Sequence, residues 1–281
     1  MTYSIEQLNY KDVTKLLDLI YSVGWSYKEN ELLAVMDCTK SFGHVNEDGQ
    51  LVSSTVIAPY AAQLASVGLV IVHPDHQRKG LGQEIVEVCL RTIPSETPSI
   101  LIATNEGKPL YEKLGFRTVS HVNLYTCSEY HAEINASTYN VFPYRESDLS
   151  HLVKLDEEAF GAKRKEMVTA RIGHSKQTIV VKNDDGEVLG FGISMEREDL
   201  LLLAPVIATN DEIATLIIHH LAKGYPGKVR VDLPEGKEDY VLSLETLGFE
   251  KVAQAPIMML GADELPKRNK NLYGISAQAF G

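Results

Sequence analysis

VIVHPDHQRKGLGQE, residues 70–84, runs from an apolar β-like stretch through a proline into a basic, glycine-spaced turn and then into helical periodicity. Glycine has no Cβ, so successive backbone N–H groups can converge on one point, and the first turn of the following helix adds positive potential. Gln77, Gly80 and Gly82, in the pattern QxxGxG, are therefore suited to cradle a phosphate or pyrophosphate, with Arg78 and Lys79 as charge at the rim. Taken alone, the pattern fits equally well a glycine-bearing connection with solvated basic residues. Two other phosphate-binding patterns are absent: no GxxxxGK is followed by Ser or Thr, and no GxGxxG precedes an acid at the end of the next strand.

Outward from the turn, LASVGLVIV (64–72) reads as the strand that delivers it, and Leu81, Ile85, Val88 and Thr92 fall on one side of the helix that leaves it. Upstream, YSIEQLN is a strand and VTKLLDLIYSV an amphipathic helix stopped by Gly24. ENELLAVMD follows as a helix, and FGHVNEDGQLVSSTVIA as a hairpin turning at Asp48-Gly49. Downstream, SILIAT is a buried-type strand, YEKLG a short helix and FRTVSHVNLYT a last strand. The order then restarts with YNVFPYR, the helix SDLSHLVKLDEEAFG and a hairpin around Asp185-Gly186. DLLLLAPVIAT is a strand, and Thr209 and Glu212 stand in capping-box spacing before a helix closed by Gly224. LGFRTV at 114–119 and LGFEKV at 247–252 end equivalent helix-to-strand units. The reading is two related α/β (α+β) domains, 1–130 and 131–281, joined near Ser128–Ser137.

The 281 residues are 44% hydrophobic, enough for two cores, and carry a formal charge of −11. Residues 1–130 hold 10 basic and 15 acidic side chains and the remainder 17 and 23, so neither half is built for nucleic acid or an acidic membrane. Three cysteines without paired or metal-like spacing predict free thiols in a reducing compartment, hence a cytoplasmic protein. The start lacks the layout of a signal peptide, and the apolar run at 200–208 is too short to span a bilayer. His73 and His76 flank a proline in a turn and His219 and His220 point different ways along a helix, so no metal is expected.

VIVHPDHQRKGLG followed by TNEGKPLYEKLGF resembles the paired signature blocks of the GNAT superfamily of N-acetyltransferases. The order of elements over residues 3–127 matches as well, and the second half resembles a degenerate copy, as in two-domain members of that superfamily. The resemblance implies two tandem domains, each a mixed, largely antiparallel twisted sheet flanked by helices, with acetyl-CoA as cosubstrate. It assigns Val70, Ile71 and Val72 to backbone pairing with the pantetheine arm, Gln77, Arg78, Lys79, Gly80, Leu81 and Gly82 to the pyrophosphate, and Asn105 to a cofactor contact. It assigns Tyr111 to the cofactor site too, as the acid that protonates the departing thiolate; a phenol with pKa about 10 keeps its proton at neutral pH.

Many superfamily members carry a glutamate as base on the strand before the cradle, but here Ser66 falls at that place and the strand has no acid. Glu29, Glu31 and Asp37 are acceptor-side alternatives, beside Trp25 and Tyr27, whose ring faces could bind an acceptor. Some branches of the superfamily bring the chain's own terminal carboxylate into the active site, so the resemblance, with the apolar tail LYGISAQAFG, implies Gly281 as another base. The second half has no QxxGxG, and Leu244 stands where Tyr111 does in the first, which makes that half a structural partner. The sequence thus predicts an enzyme that acetylates a small-molecule amine by direct attack. A non-catalytic acyl-CoA-binding regulator and a protein or peptide N-acetyltransferase are the alternatives.

Overall fold

The computed structural model describes residues 2–134 and 137–281, so Asn135 and Ala136 of the expected junction lie outside the described residues. The first half runs β1 (Tyr3–Leu8), α1 (Val13–Ser22), α2 (Glu29–Met36), β2 (Lys40–Asn46), β3 (Leu51–Tyr60), β4 (Leu64–Val72), α3 (Leu81–Leu90), β5 (Ser99–Ile102), α4 (Lys108–Lys113) and β6 (Arg117–Cys127). Local chemistry explains each boundary. Val13, Leu16, Leu19 and Ile20 bury one face of α1, and Gly24, at φ +75°, leaves the helix in the left-handed region open to glycine. Between β2 and β3, Asn46 Oδ1 accepts from the amides of Asp48 and Gln50 while Gly49 adopts φ +77°.

The second half repeats the order: β7 (Asn140–Pro143), α5 (Leu149–Phe160), α6 (Lys165–Gly173), β8 (Gln177–Lys182), β9 (Val188–Glu196), β10 (Leu200–Ala208), α7 (Asp211–Ala222), β11 (Lys228–Pro234), α8 (Glu238–Thr246), β12 (Glu250–Leu260) and β13 (Leu272–Gly274). The cap of α7 is one residue later than its sequence suggests. Asn210, not Thr209, accepts from the amide of Ile213 at 2.9 Å. α6 has no legible apolar stripe because a charged residue, Arg171, sits on its buried face.

The described strands form one twisted, mixed sheet flanked by helices, in the order β1-β2-β3-β4-β5-β12-β6-β11-β10-β9-β8-β7, with β13 beside β10. The halves exchange their last long strands. β12 pairs antiparallel with β5 of the first half, β6 pairs antiparallel with β11 of the second, and β6 and β12 pair with each other at the centre. Sequence halves and sheet halves therefore do not coincide, and two sheets become one.

The tail adds a second link. After β13 it enters the first half's core, where Phe280 is fully buried, Tyr60 donates its hydroxyl to the Phe280 carbonyl at 2.8 Å and Ser66 donates to that of Ala279 at 3.2 Å. Gly68 is required there, since a Cβ would stand 2.5 Å from Ala279 Cα. Buried charges tie the halves as well: Arg197 forks onto Glu31 at 2.7 and 2.8 Å, with Arg171 on the same carboxylate at 3.5 Å.

Candidate active site between the halves

β4 and β5 run parallel but pair only at Ala65 with Ser99 and Ser66 with Ile100, after which they diverge. On its other side β4 stays on β3, where the register shifts between Ser54 and Val56 and Leu69 takes φ +45°. This bulge turns the β4 edge outward, and the serine of β3 stabilises it, Ser54 Oγ donating to the Leu69 carbonyl at 2.8 Å. Val70, Ile71 and Val72 thus line the cleft with a strand edge that β5 does not cover. The cleft belongs to a cavity of about 1130 Å³ walled by both halves.

At the C-terminal end of β4 the chain makes the glycine turn. Gln77 closes it by donating Nε2 to the Val72 carbonyl at 3.2 Å, and Arg78 and Gly80 stand at φ +62° and +85°. Those left-handed residues bring the turn straight into α3, whose first intrahelical bond is from Glu84 N to Gly80 O. The amides of Leu81, Gly82 and Gln83 have no intrahelical acceptor and lie at the cavity wall. Gly82 keeps this wall open, because a Cβ would crowd Leu110 at 3.3 Å. Such a row of free N–H groups beside Arg78 suits a pyrophosphate.

Opposite, β5 leads into a turn in which Thr104 Oγ1 accepts from Gly107 N at 3.1 Å, so that Asn105 lines the cavity. Tyr111 follows on α4, edge-on to Phe116, with Gly107 leaving just the room its ring needs. Burial pushes its phenol well above the ordinary value, so it stays protonated. Tyr111 lines the cavity, and its hydroxyl makes no protein hydrogen bond among the described residues and is not sealed from solvent.

The end of the cavity nearest Trp25 is built by both halves. Trp25, Ser26 and Tyr27, between α1 and α2, face Arg197 and Asp199 of the β9–β10 turn: Ser26 Oγ donates to Asp199 and Arg197 stacks on the Tyr27 ring at 4.5 Å. Behind them Leu124, Arg230 and Ala253 share one face of the three adjacent strands β6, β11 and β12.

Most of the residues singled out in the sequence converge here: Trp25, Tyr27, Val70 to Val72, Gln77, Arg78, Gly80, Leu81, Gly82, Asn105 and Tyr111 all line the cavity. Lys79 does not; its Nζ turns to the Tyr3 hydroxyl at 3.1 Å. Gly281 is also elsewhere, buried between Ile100 and Phe160, although Gln278 and Ala279 of the same tail reach the wall. Of the acids considered, Asp37 is engaged by Tyr10 and His174, Glu29 lies outside the wall, and Glu31 is locked under Arg197. Burial opposes the charge of Glu31, but the Arg197 guanidinium outweighs it and holds the carboxyl below the usual range. The acids at the wall are Glu106 and Asp199. Asp199, Arg197 and Arg230 carry no sequence signal, because they reach the site only through the exchanged sheet. His76 and His219 are held by the hydroxyls of Tyr3 and Tyr130.

The equivalent slot of the second half is filled by the chain itself. β10 and β11 pair in parallel from Leu200 to Leu203, then part, and β13 occupies the gap. Val206 pairs with Gly274 on one side, and Ile275 N donates to the Asp232 carbonyl on the other. Where the first half exposes a strand edge, the second has a strand already bound.

A protein with such a splayed parallel strand pair, glycine turn and tyrosine-bearing helix has the architecture of an acetyltransferase of the GNAT type. A family model described as an acetyltransferase (GNAT) domain matches residues 40–118, and another of the same description matches 152–274. The chain is 34% identical over 276 residues to the uncharacterized N-acetyltransferase YitH of Bacillus subtilis, covering 98% of this chain and 97% of that one. With a relative this similar along nearly its whole length, the chain belongs to the GNAT acetyltransferases, with two such domains in tandem. Solved structures share the fold: one from Pyrococcus horikoshii has a TM-score of 0.83 at 19% identity, covering 99% of this chain and 96% of that one. A tandem GNAT protein from the clavulanic acid biosynthesis pathway has a TM-score of 0.65 at 12% identity, covering 92% and 98%.

Proposed function

We propose that the chain is an acetyl-CoA-dependent N-acetyltransferase that transfers acetyl directly to the amine of a small molecule. The observation that carries this reading is the β4 edge left free beyond Ser66, ending in the unpaired amides of α3, in one cavity with Tyr111, whose hydroxyl has no protein partner among the described residues. When bound, acetyl-CoA supplies the acetyl thioester. Val70 to Val72 pair with its amide-bearing arm as an added strand would, and the backbone there polarises the thioester carbonyl. Gln77, Arg78, Gly80, Leu81, Gly82 and Gln83 hold the pyrophosphate, and Tyr111 donates its proton to the departing sulfur. Neutralising an amine of pKa about 10.4 at pH 7 costs about 4 to 5 kcal/mol. Asp199, held by Ser26, orients the ammonium at the acceptor end, and solvent in the open cavity takes up its proton before the neutral amine attacks. No covalent enzyme intermediate is needed; the thiols of Cys38 and Cys89 are pushed up to about 12 by burial. Three unpaired cysteines support a cytoplasmic setting, and no helix among the described residues is long and apolar enough to cross a membrane.

The test is acetyl-CoA-dependent CoA release with pooled amines, amino acids and short peptides, alongside Gly80→Glu. Acceptor-dependent release that the variant abolishes is expected. Acetyl-CoA binding without release from any acceptor would instead support a regulator, a reading favoured by one observation: Ser66, where many superfamily members carry the base, is spent on the Ala279 carbonyl. Release with peptides alone would point to a protein acceptor.

A further inference from the structure

The acceptor end of the cavity has a charge pattern that the overall acidity of the chain conceals. Four arginines lie in or behind it or in the neighbouring core, and they fall into two kinds. Arg164 and Arg171 have fully buried side chains, and the nitrogens that make no hydrogen bond are sealed: Nη1 of the first, and Nε and Nη1 of the second, whose Nη1 faces the Glu31 carboxylate at 3.5 Å. Arg197 and Arg230 are different. Each uses its Nε and Nη2 in a fork, Arg197 onto Glu31 and Arg230 onto Asp232, with both of the Arg230 bonds at 2.7 Å. Each lines the cavity, and its Nη1 has no protein partner among the described residues and is not sealed from solvent. The carboxylates behind them fix two long side chains, so a bound anion does not have to order them again.

From this we infer that the acceptor bears an oxyanion, carboxylate or phosphate, which Arg197 and Arg230 bind while Asp199 takes the ammonium that is to be acetylated. Planar guanidinium groups with free N–H donors match an oxyanion, and Asp199 supplies the opposite charge within the same wall. Glu31 and Asp232 are consumed by the forks, and Arg171 adds positive charge behind Arg197, so the guanidinium side is not neutralised in advance. A plain polyamine would leave both Nη1 groups unmatched. Trp25 and Leu124 provide the apolar surface for the rest of the ligand. The assignment rests on the transfer reaction proposed above for its meaning, but its binding test does not.

Trp25 is the single tryptophan of the chain and lines this cavity, so its fluorescence reports occupancy directly. The full chain, saturated with CoA, is titrated with the protein amino acids other than tryptophan and tyrosine and with phosphoethanolamine, each beside a counterpart that keeps the ammonium and lacks the oxyanion: the amino acid amide, the decarboxylated amine, or ethanolamine. At least one oxyanion-bearing amine is expected to give a saturable change, with its counterpart at least about tenfold weaker, the scale of a lost charge-assisted hydrogen bond. The amino acid and phosphoethanolamine arms tell carboxylate from phosphate. Arg230→Lys, which keeps the charge and loses the fork, is expected to shrink that ratio; Arg230→Gln combined with Asp232→Asn repeats the test without an orphaned carboxylate. Equal response to the counterparts lacking the oxyanion, or no response across the panel, would overturn the inference. Discrimination without acetyl transfer would remove the transferase and leave the oxyanion site, whereas transfer to amines lacking an oxyanion with undiminished kcat/KM would do the reverse.

Discussion

Tyr111 and Glu31 show how position decides what an ionisable group does. Burial raises the phenol of Tyr111, so it remains a proton donor throughout the usual assay range. Tyr111→Phe is expected to lower kcat by roughly a hundredfold, within the usual range for a lost general acid, with acetyl-CoA affinity nearly unchanged. The wild-type rate should rise with pH as the amine loses its proton, without a falling limb before pH 10 that the variant removes. Glu31 works in the opposite sense. Its folded pKa lies below the ordinary value, so its contribution to stability is complete above that value and is lost as pH falls through the folded pKa. Glu31→Gln should cost about 3 to 5 kcal/mol at neutral pH, because it strands Arg171 and Arg197. The melting-temperature gap to wild type should close only in acid, below the ordinary carboxylate range. Tyr111 was legible because its motif is contiguous; Asp199 was not, because its contact with Ser26 spans 173 residues and depends on a fold no local pattern encodes.

Among the elements, β4 carries the site and the tail supports β4 from behind. Gly68→Ala would put a Cβ into the Ala279 backbone, so the tail must leave its groove. The variant is expected to melt lower than wild type and to expose residues 276–281 to carboxypeptidase; an unchanged melting curve and a protected tail would contradict the packing. Most elements were readable from apolar periodicity and turn chemistry, as at Asp48-Gly49. The exceptions have physical causes. The buried Arg171 breaks the stripe of α6, and β13 is three residues long and exists only because β10 and β11 part to receive it.

For the whole molecule, the repeat of LGFRTV and LGFEKV announced two copies of one unit. It could not announce the exchange of β6 and β12, since a strand's pattern fixes which face is buried rather than which edge it joins. The exchange gives the two copies different work. It sets the second half's β9–β10 turn and β11 against the first half's cleft, while the second half's own cleft is closed by β13. One open strand edge and one closed one predict a single acetyl-CoA site per chain, on β4. Calorimetric titration of acetyl-CoA into the full chain tests it most directly. One equivalent per chain, lost in Gly80→Glu, is the predicted result; two equivalents, or one that survives Gly80→Glu, would contradict it.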